Sequence, residues 1–170
     1  MSKRDLKKYL ATLPKEELEE QLMALYYKFT EVKTYYNFIF NPKEDKLEQE
    51  AKQKILHEYF PLKGKRAKLR RSTAQKYIKH FLTLGVDAYI TADVMLYNIE
   101  TAQRYTARRE IKYTTFYKSM YNSYKQAVDY VTANGMATDF KERIEKIYLE
   151  AMRQKWDNGK EFERIYDNFE

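Results

Sequence analysis

Asp93 and Glu100 stand seven residues apart in an otherwise apolar stretch, and Asp93, Tyr97, Glu100 and Arg104 recur every three or four residues along one side of a helix. Asn98 falls in the same stretch. A carboxylate held there has a perturbed pKa and serves as a general base if it opens onto a cleft. A buried hydrogen-bond network, or a Glu100 to Arg104 surface pair, uses the same residues with no chemistry at all, and that structural reading is the expectation. Histidine adds nothing: His57 and His80 are the only two, and neither lies in a Glu-x-x-His or His-x-x-x-His arrangement. No cysteine occurs, which removes disulfides, thiolate nucleophiles and zinc ribbons together. Glycine-rich phosphate loops, nucleophile elbows and dinucleotide fingerprints are missing as well. The sequence thus predicts a protein without a metal or cofactor that is not an enzyme.

The other concentration of chemistry is positive charge. Lys63, Lys65, Arg66, Lys68, Arg70, Arg71, Lys76 and Lys79 follow one another with no Asp or Glu between Glu58 and Asp87. The chain carries 32 Lys and Arg against 25 Asp and Glu, a net charge of +7; without those eight cations the balance is -1. The whole positive excess is therefore local. Guanidinium forks together with a helix N-terminus suit phosphate oxygens, so the segment 63–79 is a candidate site for nucleic acid or another polyanion, held nonspecifically and weakened by salt. The blander alternatives are a solvated loop, or a loop paired with acidic residues near the start of the second helix.

Tyrosine is unusually abundant, with seventeen in the chain. At helical spacing such residues are mostly core and rim. Tyr27, Tyr35 and Tyr121 lie off the inward stripes and are the candidates for exposed contacts with a partner.

The elements that must position these residues are helices. Four Gly and three Pro, at Pro14, Pro42, Pro61, Gly64, Gly85, Gly135 and Gly159, punctuate long periodic segments. Ser2 and Asp5 form an imperfect capping box for a short first helix. Leu18, Leu22, Leu25, Phe29, Val32, Tyr36 and Ile39 make one stripe, read either as a single long helix or as two with Thr30 capping the second. A further helix runs from Asn41-Pro42 to Pro61, and residues 61–71 form a basic loop. Ser72 with Gln75 gives a capping box for the next helix, which ends at Gly85. Asp87 opens a segment apolar on two faces and hence central, and two more long helices and a short tail helix follow. We expect an all-α fold, a single domain over 1–170, arranged as an antiparallel bundle or a compact stack of hairpins with about six to eight helices. No signal peptide or apolar span is visible, so a soluble cytoplasmic protein is expected, without a membrane partner.

The stretches SKRDLKKYL from Ser2, LPKEEL from Leu13, EVKTYY from Glu31, Phe40-Asn41-Pro42, EYFP from Glu58, LGVD from Leu84 and ADVMLY from Ala92 resemble a small bacterial family classed as a domain of unknown function. That resemblance implies a small helical bacterial protein and brings no active site with it. Three functional readings follow. The first is a noncatalytic interaction module that binds a protein partner or itself. The second is a nucleic-acid-binding protein using residues 63–79, with Lys3, Arg4, Lys7 and Lys8 as a further basic segment. The third is a small enzyme around Asp93 and Glu100.

Overall fold

The computed structural model describes residues 1–169, and among them every regular element is a helix. In order these are α1 Lys3–Leu10, α2 Lys15–Lys28, α3 Thr30–Phe40, α4 Glu44–Tyr59, α5 Arg71–Leu84, α6 Ala88–Thr106, α7 Thr114–Ala133, α8 Ala137–Arg153 and α9 Gly159–Asp167. Nine helices exceed the expected six to eight. Part of the surplus comes from Phe29, whose extended backbone (φ -120°, ψ 120°) separates α2 from α3. Thr30 is then the first residue of α3, and no side chain caps it.

The helices fall into two compact units, Met1–Lys43 and Glu44–Glu170. The physical difference between them lies in burial: no residue of α1, α2 or α3 is buried, whereas α4 to α9 all contribute buried side chains. In the first unit Ser2 and Asp5 do form a capping box, with Asp5 N–H donating to Ser2 Oγ (3.2 Å) and Ser2 N–H donating to Asp5 Oδ2 (3.0 Å). α2 packs on α3.

In the second unit α6 packs against α4, α5, α7 and α8. Its two apolar faces explain that position, since Ala92, Val94, Leu96, Ile99 and Ala102 are all fully buried. Asp87 caps it, accepting from the N–H groups of Tyr89 (2.8 Å) and Ile90 (3.3 Å). Just before, Gly85 turns left-handed (φ 76°) so that its own N–H and that of Val86 close on the Phe81 carbonyl and end α5. α9 packs on α7 and α8 through Phe162, which is fully buried and stacks on Tyr124 at 4.8 Å. Trp156 (5.6 Å) meets the same ring from its edge. No helix among the described residues is long and apolar enough to cross a membrane.

Candidate anion-binding cleft

α4 ends at Tyr59 because Pro61 cannot continue a helix. The chain then turns through Leu62 to Lys65, with Gly64 at φ 83°, and comes back on itself. Lys68 N–H (2.9 Å) and Leu69 N–H (3.1 Å) both donate to the Glu58 carbonyl, and Leu69 accepts a left-handed backbone (φ 56°) to allow it. The Arg70 fork closes the loop, with Nε donating to Glu58 Oε2 (3.0 Å) and Nη2 to Oε1 (2.8 Å). That hydrogen bond holds the Glu58 carboxyl below its ordinary pKa, although partial burial opposes it. The basic loop is thus a clamped structure.

The clamp turns Lys65 and Arg66 toward the end of α6. There Tyr105, Arg108 and Arg109 form a facing wall, and a cleft of about 620 Å³ opens between them, floored by Tyr59, Phe60 and Pro61. Its lining holds four cations, Lys65, Arg66, Arg108 and Arg109, and no carboxylate. The rings organise the cations: the Arg108 guanidinium lies 5.7 Å from the centre of the Phe60 ring and that of Arg109 lies 6.0 Å from Tyr105. Phe60 meets Tyr105 edge-on at 5.8 Å. Tyr59 behaves as apolar wall: burial, and secondarily the Glu58 charge, push its hydroxyl pKa well up, and its O–H reaches only Met120 Sδ. Two helix C-termini, of α4 and α6, end at this cleft, each equivalent to roughly half a negative charge. Four cations exceed that by about three charges.

The eight cations of the basic segment divide. Lys65 and Arg66 line the cleft, and Lys63 and Lys68 are exposed on the same loop. Arg70 is taken by Glu58. Arg71 points to α7, its Nε donating to Ser123 Oγ (2.8 Å). Lys76 and Lys79 are exposed on α5, outside the cleft. The expected capping box at Ser72 does not form: α5 begins at Arg71, no side chain caps it, and Gln75 donates to Gln126 Oε1 instead (2.9 Å). Arg70 and Arg71 are anchored on Glu58 and Ser123, and the helix starts one residue before Ser72. Arg108, Arg109, Phe60 and Tyr105 were not among the candidate site residues. The signal available was the Arg108-Arg109 doublet following a central helix.

The carboxylates of α6 sit in a different arrangement. Arg143 of α8 donates to Glu100 through Nε (2.6 Å) and Nη2 (2.9 Å), and to Asp93 Oδ1 through Nη1 (2.5 Å). Lys52 of α4 lies 2.5 Å from Asp93 Oδ2 and 2.6 Å from Glu48 Oε1. Burial would raise the Asp93 pKa, but Lys52 and Arg143 together hold it below the ordinary value. Burial likewise acts against the Arg143 charge and is outweighed by Glu100 and Asp93, so its pKa is raised. The Glu100 to Arg104 pair does not form: Arg104 donates to Thr101 Oγ1 (2.9 Å) and lies over the Tyr97 ring. Asn98 is buried, with its Nδ2 making no hydrogen bond. Lys52 and Arg143 come from other helices, which is why spacing within α6 did not disclose them. Of the tyrosines named for partner contact, Tyr27 is 79% exposed and Tyr35 exposed, while Tyr121 is half-buried edge-on to Phe162 at 6.0 Å.

Fold and site together define an all-helical protein with a cationic, aromatic-walled cleft at the ends of two helices. The chain belongs to the family described as a family of unknown function, DUF6155, which it matches over residues 1–170. No curated protein and no solved structure matches it.

Proposed function

We propose that this chain is a noncatalytic binding module whose cleft takes single-stranded nucleic acid, with phosphates on Lys65, Arg66, Arg108 and Arg109 and a base against the Phe60 and Tyr105 rings. The observation that carries the reading is the cleft lining: four cations converge from two separate chain segments, beside half-buried rings, with no carboxylate to neutralise them. Like charges converge at a cost unless a counter-charge is expected, and a polyanion supplies it. A pocket of about 620 Å³ has room for a nucleotide but not for a stretch of duplex, which favours splayed, single-stranded ligand and recognition by stacking. Binding rather than turnover is favoured because Asp93 and Glu100, the carboxylates best placed for acid-base work, are both engaged by Arg143. The scaffold we infer is an antiparallel bundle around α6, acting in the cytoplasm.

The test is a filter-binding titration of a labelled single-stranded oligonucleotide. With four phosphate contacts, log K should fall against log salt with a slope of roughly -3. Changing Lys65, Arg66, Arg108 and Arg109 to Ala should abolish most of that slope, and affinity with it. Changing Lys63, Lys68, Lys76 and Lys79 to Ala removes the same charge outside the cleft and should cost no more than about threefold. Equal losses for the two variants would refute the cleft as the site, and tighter binding of a mononucleotide than of the oligomer would replace the polymer by a free nucleotide.

A further inference from the structure

The first unit carries a different message from the cleft. Its 43 residues bury no side chain, yet Leu6, Tyr9, Leu22, Leu25 and Ile39 on its three helices, and Phe29 between two of them, are all exposed large apolar residues. A unit this short with no buried side chain commonly draws stability from disulfides, metal or association. The sequence has no cysteine, and the described residues include no cluster of metal-ligating side chains. Association is what remains. Charge indicates with what. α1 is basic, with Lys3, Arg4, Lys7 and Lys8 against Asp5, whereas the first turns of α2 carry Glu16, Glu17, Glu19 and Glu20. Among the described residues none of the four α1 cations forms an ion pair, and of the four α2 carboxylates only Glu19 does, with Lys15 of its own helix (3.5 Å). The one side-chain hydrogen bond joining the two helices is Gln21 to Tyr9.

We propose that residues 1–43 are a self-association unit whose occupant is the same unit of a second copy, with α1 of each copy against the acidic start of α2 of the other and the exposed apolar residues between them. A surface carrying both a basic and an acidic segment is self-complementary across a two-fold axis, because each segment finds its opposite when the partner is inverted. Another protein would have to reproduce that pattern independently. The inference stands apart from the cleft.

Sedimentation of the full chain should give twice 20.7 kDa at micromolar concentration. Two charge-reversed chains then probe the arrangement: one with Lys3, Arg4, Lys7 and Lys8 changed to Glu, the other with Glu16, Glu17, Glu19 and Glu20 changed to Lys. Each should sediment alone as a monomer, since like charges now face each other, and an equimolar mixture should restore the dimer. Leu22→Asp with Leu25→Asp should leave a monomer that the mixture cannot rescue, with the far-ultraviolet spectrum reporting whether the helices persist. A parent chain of 20.7 kDa overturns the proposal and leaves the face to a different protein. A parent dimer that both reversals leave intact overturns it as well.

Discussion

Both carboxylates of α6, Asp93 and Glu100, are matched by cations from other helices, and such pairing fixes how stability responds to pH. Asp93 and Glu58 both have folded pKa values below their ordinary ones, so the unfolded chain binds protons more readily than the folded one. The stability they contribute is complete above the ordinary carboxyl range of about 4 and is lost as pH falls through the depressed folded values. The urea midpoint should therefore hold from pH 7 to 5 as far as these groups go, and drop below about pH 4. Arg143→Met removes the partner of both Asp93 and Glu100 and should cost about 2 kcal/mol at pH 7, less than for a fully buried pair because these side chains are partly exposed. The gap between variant and parent should close as the carboxyls protonate. A gap of equal size at pH 7 and pH 3 would assign the loss to packing. Glu58→Gln tests the clamp at the same scale: with Arg70 released, trypsin should cut between Lys63 and Arg66 several-fold faster than in the parent, and the stability in urea at pH 7 should fall by no more than about 1 kcal/mol, the contribution of one partly exposed ion pair.

At the scale of elements, most of the helices could be read from punctuation and stripes, because capping, proline and the α-helical period are local chemistry. The Ser2–Asp5 box, the Asp87 cap and the Gly85 stop all lie where local rules put them. Misreadings arose where a distant contact overrode a local preference. Ser72 has a good capping sequence, but Arg70 and Arg71 are anchored on Glu58 and Ser123, and α5 starts before it. Phe29 has no helix-breaking chemistry of its own, so the division of α2 from α3 showed only as one of two alternatives at Thr30. The tail helix illustrates an element held by one residue. α9 is nine residues long, too short to persist alone, and its fully buried Phe162 inserts among Tyr124, Tyr121 and Trp156. Phe162→Ala should cost about 3–5 kcal/mol in urea unfolding. A loss below about 1 kcal/mol would mean that α9 is not anchored there.

For the whole molecule, the net charge of +7 acquires a place. The block from Lys63 to Lys79 holds the positive excess in sequence, but only Lys65 and Arg66 of it line the cleft, and two arginines more than forty residues downstream, Arg108 and Arg109, complete its four cations. Density of charge along the chain indicated a region; which cations converge depends on the loop folding back onto Glu58 beside the end of α6, a tertiary fact with no local signature. That the first 43 residues have apolar stripes without a buried side chain was likewise not legible, since a stripe looks the same in sequence whether or not something covers it. Nucleic acid bound as proposed in the cleft sets a base on its rings. The most direct measurement is photocrosslinking of a single-stranded oligonucleotide carrying 5-iodouracil, followed by mass spectrometry of the crosslinked peptide. Attachment is expected at Phe60 or Tyr105, suppressed by salt and absent when Arg108 and Arg109 are changed to Ala. Crosslinks confined to α1 or α5, or none at saturating oligonucleotide, would contradict it.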